Sequence, residues 1–522
     1  MSEWSLSPEI MEYCKNTVYK HYRLFDWSME HVPTGESLQQ WSRQLAWKAF
    51  ERARRDVPAY QRFLSEQHFV DRPGQPLAER LAAIPTTDKQ RYVRAFSTEE
   101  RCIGGRIPGR NVIVDESSGS TGVPYNWVRS KNEVEYTRHI ASSMHRYSFS
   151  SNPMFIVNAF SMGAWATGVT IGATLGPNGI VKSTGPDVEK ILCTLRFFGP
   201  AYHYLITGYP PFLKHLIDSA DAQGFDWQGY RLMGMVGGEG MSEHLRQYLL
   251  QRFEKVLSGY GASDLEVGIA VESDLTIAIR KLLIEQPEVR SVVLGDEQRY
   301  PMLFQYNPLD HYIETSADSE LIVTITRPLL SPRIRYNIQD EGGTLTFDAM
   351  CARLRQAGVD VDRLIASQKV APRLPFLYLF GRRDSTISYM GANIYPEDVE
   401  AGLLANATYA HSVGAFCLEL KEDEQRTGEV RPCIHVEVTN GEPSEEMTRA
   451  LQHSILQKLC EASADFRQSL QEDASTADLR IVLHPMGAGP FAHNSGRIKR
   501  RYILAGPQAG VQQVSMEASE RV

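Results

Sequence analysis

The sequence predicts a two-domain α/β protein, with a large N-terminal α/β domain followed by a small α+β domain. Three observations carry this reading. At 522 residues the chain exceeds what one hydrophobic core usually organises. From Asn111 onward, short apolar runs broken by glycine alternate with amphipathic stretches, as expected of strands joined through helices. After Gly381 acids and glycines punctuate the chain, and a shorter set of strands and helices begins, about 120 residues long and so of ordinary domain size.

Each element has a local reason. In the first hundred residues Trp41, Leu45, Ala46 and Phe50 recur at helical spacing before Val57-Pro58-Ala59-Tyr60, which predicts a helical cap or entrance. The runs Val112–Val114, Met154–Val157 and Leu232–Val236 predict strands, and Val188–Phe198 and Pro211–Ala220 predict helices between them. Glu320–Thr326 alternates like a strand, and strand-like sequence continues to Phe376–Phe380. Beyond these come a helix over Pro396–Leu404, a strand around Ile434–Val438, a helix over Ser444–Ala462 and a strand around Leu479–Leu483. The expected boundaries are 1–383 for the large domain and 384–506 for the small one, with 507–522 a polar, disordered tail. The stretch 265–319 has no assigned role and reads as a substrate lid, an interface or an elaboration.

Composition narrows the function classes. With 42% hydrophobic and 23% charged residues the chain is of ordinary globular composition, and a net charge of -8 offers no general attraction to phosphate backbones. No apolar run approaches the ~18 residues of a membrane span, and the opening residues lack the basic start and apolar core of a leader. The expectation is a cytoplasmic protein with neither nucleic acid nor membrane as partner. Seven cysteines are scattered without a Cys-x-x-Cys pair, which reads as reduced core thiols.

The sharpest local signal is Ser117-Ser118-Gly119-Ser120-Thr121-Gly122-Val123-Pro124, directly after a predicted strand. Its small residues let backbone N–H groups curl toward an anion, and its hydroxyls add donors for phosphate oxygens. No Gly-Lys dipeptide follows, so this is not a Walker loop, and no Rossmann, nucleophile-elbow or zincin motif occurs. Four further segments follow in order: Met235-Val236-Gly237-Gly238-Glu239, Gly259-Tyr260-Gly261-Ala262-Ser263-Asp264, Ile334-Arg335-Tyr336-Asn337-Ile338-Gln339-Asp340, and Gly381-Arg382-Arg383-Asp384 through Gly391-Ala392-Asn393-Ile394-Tyr395-Pro396. Taken together and in this order, the five segments resemble the phenylacetate-CoA ligase branch of the adenylate-forming superfamily, over roughly residues 40–505.

That resemblance implies a large adenylate-forming domain with a small, mobile C-terminal domain, and it implies roles. Ser117, Ser118, Gly119, Ser120, Thr121 and Gly122 would cradle the phosphates of ATP; Gly238 and Glu239 would lie beside the adenine, with Tyr260, Gly261 and Ser263 completing the nucleotide site. Asp340 would accept both ribose hydroxyls, as one carboxylate can, and Arg382 would reach ribose or phosphate oxygens. Asp264 would supply a hard oxygen to the Mg2+ that accompanies ATP; the family usually has Glu there, so the missing methylene shifts the metal or hands its role to Glu266. Asp384 would be the hinge between the domains. The segment His493-Asn494-Ser495-Gly496-Arg497-Ile498-Lys499 resembles the family's C-terminal Ser-Gly-Lys loop with Arg497 at the lysine position, and either Arg497 or Lys499 would neutralise charge as the carboxylate attacks.

Phe160, Trp165, Gly208, Tyr209 and Gly237 resemble pocket walls, and aromatic walls with glycine gaps favour an aryl or cyclic carboxylic acid. The implied reaction forms acyl-AMP from ATP and releases pyrophosphate, and coenzyme A then takes the acyl group; an amine or a carrier-protein thiol would use the same first half. A degenerate ATP-binding relative that no longer adenylates is the remote alternative, motivated by Arg497 and Asp264.

Overall fold

The computed structural model describes residues 7–31, 33–116, 125–162, 166–295, 297, 299–382, 387–389, 392–422, 430–463, 466–467, 470, 479–492 and 502–504. It divides into two compact units. The first holds the described residues up to Tyr209, together with Asp226–Gly240 and Arg252–Gly381. The second holds Pro210–Phe225, Met241–Gln251 and the described residues from Arg382 onward. No helix among the described residues is long and apolar enough to cross a membrane.

The chain opens with five helices, α1 (Pro8–Lys20), α2 (Tyr22–His31), α3 (Glu36–Asp56), α4 (Pro58–Glu66) and α5 (Leu77–Ala83). Of the stripe expected in α3, Leu45, Ala46 and Phe50 are buried, together with Leu38, Ser42, Ala49 and Ala53, whereas Trp41 is only partly buried. A two-stranded ribbon follows, β1 (Val112–Glu116) antiparallel to β2 (Asn126–Ser130), and then α6 (Lys131–Ser148). Ser130 starts α6 through a capping box with Glu133, satisfying two otherwise orphaned N–H donors.

Alternating strands and helices then run through β3 (Met154–Asn158), α7 (Ala166–Thr174), β4 (Gly179–Ser183), α8 (Val188–Phe198), β5 (His203–Gly208), α9 (Pro210–Ala222), β6 (Arg231–Gly237), α10 (Glu243–Leu249) and β7 (Lys255–Ala262). Next come β8 (Glu266–Val271), α11 (Asp274–Glu285), α12 (Pro287–Leu294), β9 (Met302–Tyr306), β10 (His311–Thr315), β11 (Glu320–Ile325), β12 (Tyr336–Leu345), α13 (Phe347–Gln356), α14 (Val361–Ala366) and β13 (Phe376–Arg382). Eleven of these strands form one sheet in the order β10-β11-β12-β13-β9-β8-β7-β6-β5-β3-β4. The run from β4 through β7 is parallel, and every residue of β3 is buried, as a parallel strand covered on both faces requires.

The unassigned stretch 265–319 is framework. Leu275, Ile279 and Leu283 of α11 and Val289 and Val293 of α12 share a core with Leu303 of β9, Met350 and Leu354 of α13, and Phe376 of β13. The N-terminal helices are pinned to the first unit by a buried polar knot. Lys15 of α1 pairs with Asp310 at 2.9 Å and donates to the Leu309 carbonyl at 3.0 Å, and the hydroxyls of Tyr19 and Tyr136 donate to the same carboxylate. Burial pushes the Asp310 carboxyl up, but Lys15, His311, Tyr136 and Tyr19 together reverse this and leave it below the usual range.

The second unit contains β14 (Ile387–Tyr389), β15 (Ala392–Ile394), α15 (Pro396–Ala405), β16 (Val413–Glu422), β17 (Val430–Val438), α16 (Glu445–Ala462) and β18 (Arg480–Pro485). Its three-stranded sheet runs β16-β17-β18, antiparallel then parallel. Phe416, Leu418, Ile434 and Val436 meet Val399, Leu403, Leu451 and Ile455 in its core. Gly402 permits the crossing of α15 and α16, since a Cβ there would lie 2.4 Å from the Ile455 Cα. Tyr502–Leu504 joins the β16 edge through Leu418. Within this unit α9 is fixed to β16 by Lys214, which donates to the Val413 carbonyl at 2.9 Å and pairs with Asp218 at 2.7 Å.

The expectation of seven core cysteines is corrected at two positions. Cys14 and Cys193 are exposed, because the buried stripes Met11-Lys15-Tyr19 of α1 and Ile191-Leu192-Thr194-Leu195 of α8 pass beside them.

Candidate active site

In an open α/β sheet, ligands bind beyond the carboxyl ends of the parallel strands. The first unit gathers the pocket and nucleotide candidates there. Asn158 at the end of β3 lies level with Thr207, Gly208 at the end of β5 with Val236, and Gly237 at the end of β6 with Gly259 on β7. Phe160, Tyr209, Gly238 and Glu239 therefore leave their strands at the end of the sheet where Tyr260 and Gly261 close β7.

Close backbone approach explains the glycines. A Cβ on Gly237 would come within 3.0 Å of the Gly259 carbonyl oxygen, and one on Gly261 within 2.2 Å of the Val267 carbonyl oxygen. Gly238 has φ +84° and would set a Cβ 3.0 Å from the Tyr209 ring, so both its backbone and its space require glycine. Tyr209 meets Phe160 edge to face at 5.2 Å between centroids, and both rings are buried. Burial pushes the Tyr209 phenol up. Asn158, buried and central, orders this wall: its Nδ2 donates to the Gly168 carbonyl at 2.7 Å, and its Oδ1 accepts from the Phe160 N–H and the Thr207 hydroxyl, each at 3.3 Å.

Asp340 reaches the same place by a different device. β11 pairs Glu320 with Glu341 and Ile322 with Asn337, so residues 338–340 bulge opposite Leu321 alone, and Gln339 takes a left-handed φ of +64°. The bulge presents Asp340 to Tyr260, whose hydroxyl donates to Oδ2 at 2.7 Å. The purine-facing residue and the ribose-facing residue of the expectation are thus hydrogen-bonded partners.

Asp264 is held on three sides. Its Oδ2 accepts from the Tyr336 hydroxyl at 2.8 Å, its Oδ1 lies 3.6 Å from the Lys89 ammonium, and its carbonyl accepts from Arg333 Nε at 2.7 Å. Arg129 of β2 pairs with Asp115 of β1 and donates to the Ser263 carbonyl at 2.8 Å and the Leu265 carbonyl at 2.9 Å, tying the ribbon to this turn. Arg333 stacks on Trp127 at 4.6 Å, and its pKa is pushed down to about 10 by burial and then by Arg101 and Arg129. Positive charge therefore collects around the base of the ribbon.

Among solved structures, 2-hydroxyisobutyryl-CoA ligase in the postadenylation state with R3-HIB-AMP is similar to this chain with a TM-score of 0.65 at 13% identity, covering 94% of this chain and 93% of that one. The same ligase in an open conformation with 2-HIB-AMP and CoA is similar with a TM-score of 0.53 at 14% identity, over 92% and 93% of the two chains. This chain has the adenylate-forming ligase fold. No protein-family model matches the sequence, and no curated protein does either.

Within that ligase fold, several expected site residues fall outside the described residues: Ser117, Ser118, Gly119, Ser120, Thr121, Gly122, Trp165, Asp384, Arg497 and Lys499. Of Arg382 the structure describes the backbone, as the last residue of β13. The ribbon ends on either side of the expected phosphate loop are described, and Glu116 pairs with Asn126 across them.

Glu266 is corrected as a substitute metal ligand. Its carboxylate is buried against His311 and Arg327, Oε1 accepting from Arg327 Nη1 at 2.9 Å, which leaves no face for a hydrated cation. Asp264 would suit a magnesium ion, because Mg2+ needs only one or two carboxylates and otherwise keeps its waters, and among the described residues Oδ1 has only the Lys89 ammonium, at 3.6 Å, as a charged partner. Asn158, Lys89, Arg129, Arg333 and Tyr336 were not legible as site-building residues. Arg129 lies 134 residues from its Ser263 partner and Tyr336 lies 72 from Asp264, and no local pattern records such pairings.

Proposed function

We propose that this protein activates a carboxylic acid with ATP and transfers the acyl group to coenzyme A. In the first half-reaction a carboxylate oxygen attacks the α-phosphorus, the bond to pyrophosphate breaks, and acyl-AMP forms. In the second, a thiol sulfur attacks the acyl carbon, the bond to AMP breaks and the thiol loses its proton. The observation that carries the reading is the Tyr260–Asp340 pair set beside the Gly237-Gly238 turn at the carboxyl end of the parallel strands. The neighbouring ligase, which binds acyl-AMP and CoA, supports it.

Each residue has a task in this scheme. Asp340 accepts the ribose hydroxyls while Tyr260 holds its carboxylate in place, and Gly238 lets the nucleotide approach the backbone. Asp264 would hold Mg2+ through a carboxylate oxygen, and the ion would neutralise phosphate charge when bound. The Ser117–Gly122 loop cradles the phosphates, Arg382 reaches ribose or phosphate, and Arg497 or Lys499 meets the charge developing at the α-phosphate. Asp384 is the hinge at the boundary of a domain comprising 384–506. Phe160 and Tyr209, with Trp165 and Gly208, wall a pocket for an aryl or cyclic acid.

The test is acid-dependent pyrophosphate release from ATP and Mg2+, screened over aryl, cyclic, 2-hydroxy and fatty acids with coenzyme A or an amine in parallel. Stimulation by coenzyme A supports the thioester reading, and stimulation by an amine alone replaces it with amide synthesis. ATP binding without release for any acid overturns the catalytic reading in favour of a degenerate relative.

A further inference from the structure

The small sheet of the second unit has a second face with a composition unlike its first. Phe416 and Leu418 of β16, Ile434 and Val436 of β17 and Ile481 of β18 point into the core, so by strand alternation Cys417, Glu419, Cys433, His435 and His484 share the opposite face. The register sets Glu419 directly across from Cys433 and Cys417 across from His435.

Three of these side chains converge. One ligand atom each from Glu419, Cys433 and His435 lies within 4.8 Å of the others. His435 Nε2 is 3.4 Å from Cys433 Sγ and 3.0 Å from Glu419 Oε1. Ligand atoms ~2.0–2.3 Å from a tetrahedral ion stand about 3.3–3.8 Å apart, so these separations are already close to those of a coordination shell.

The other ring nitrogen carries the second argument. His435 Nδ1 lies 2.8 Å from His484 Nε2, so one proton is shared between them. When His435 Nδ1 is the donor, its Nε2 presents a lone pair toward a carboxylate oxygen and a sulfur, three electron-pair donors that one cation can share. His484 is in turn backed by Phe491, edge to face at 5.8 Å, and by Gly489, where a Cβ would lie 2.4 Å from its ring. A ligating histidine usually has its far nitrogen fixed by a hydrogen-bond acceptor, and here His484 takes that place.

We propose that Glu419, Cys433 and His435 bind a zinc-class divalent cation across β16 and β17, with His484 positioning His435. The mixture of thiolate, imidazole and carboxylate selects zinc or cobalt over magnesium or calcium, and three protein ligands leave the fourth position to water. Binding releases the Cys433 thiol proton to solvent, and the cation then bridges two adjacent strands opposite the domain's core.

The test uses the full-length protein, stripped with chelator and titrated with Co2+ and then Zn2+. The expected result is one equivalent of Co2+ bound with a sulfur-to-cobalt charge-transfer band, lost on adding Zn2+. Cys433→Ser abolishes the band, whereas Cys417→Ser, on the same face but outside the triad, keeps it. His484→Gln weakens Co2+ binding by about 10–100-fold. Glu419→Gln, at a partly exposed position, lowers affinity at least about tenfold while its thermal midpoint in chelator matches the parent. A parent protein without the band overturns the site. So does a band that survives Cys433→Ser, or a Glu419→Gln protein that binds as the parent does.

Discussion

Tyr260 and Asp340 lie 80 residues apart, and their hydrogen bond is the most specific feature of the candidate site. A hydroxyl donating to a carboxylate contributes about 1.5–3 kcal/mol, reduced here because Asp340 is only half-buried and water can replace part of it. Tyr260→Phe should therefore raise the KM for ATP by roughly 5–20-fold in the pyrophosphate-release assay, with a smaller change in kcat. A KM unchanged within error would show that Asp340 needs no positioning by the phenol. At this scale the glycines were legible and the charged residues were not. Gly237-Gly238 and Gly261 announce close backbone approach by their type, and the structure gives each a neighbour that a Cβ would strike. Asp264 was legible as a carboxylate in a motif, but its hold by Lys89 and Tyr336 was not, since a lysine and a tyrosine have many surface and core uses.

Elements with strong periodicity were read closely, and those defined by distant pairing were not. Val188–Phe198 is α8 to the residue, and Pro396–Leu404 falls one residue short of α15. The stretch 265–319 was opaque because β9 acquires its place by pairing with β13, as Gln305 does with Phe376, 71 residues on. One helix carries a pH dependence of its own. His145 of α6 is buried, neither ring nitrogen has a partner among the described residues, and burial lowers its pKa to about 4. The unfolded chain, at the ordinary value near 6.5, then binds the extra proton first. Stability from this group is complete above about pH 6.5 and falls by roughly 3 kcal/mol as pH drops to about 4. His145→Leu should flatten that acid limb in urea denaturation at pH 4.5 against pH 7.5; an equal acid loss in both proteins would assign the drop to other groups.

For the whole molecule, a boundary drawn along the sequence misses part of the division, because α9 and α10 join the second unit while the strands on either side of them belong to the first. Their helical pattern was legible, but their allegiance depends on contacts such as Lys214 with Val413. If Asp384 is the hinge, Asp384→Pro, which restricts its φ, should slow one half-reaction at least about tenfold and spare the other, as single-turnover acyl-AMP formation and acyl transfer would separate. Equal slowing of both would place the hinge elsewhere. The ribbon of β1 and β2 bears on the same molecule through its independence. Among the described residues its strands pair with none of the eleven-stranded sheet, it exposes Ile113 and Val114, and the Arg129 side chain ties it to the β7–β8 turn. Its amides can therefore open by local fluctuation, without the global unfolding that β3 requires. Hydrogen exchange should be fast over residues 112–116 and 126–130 and slow over 154–158; if 117–122 cradles ATP as proposed, the ribbon should exchange more slowly once ATP is bound, so that this segment reports nucleotide occupancy as protection from solvent.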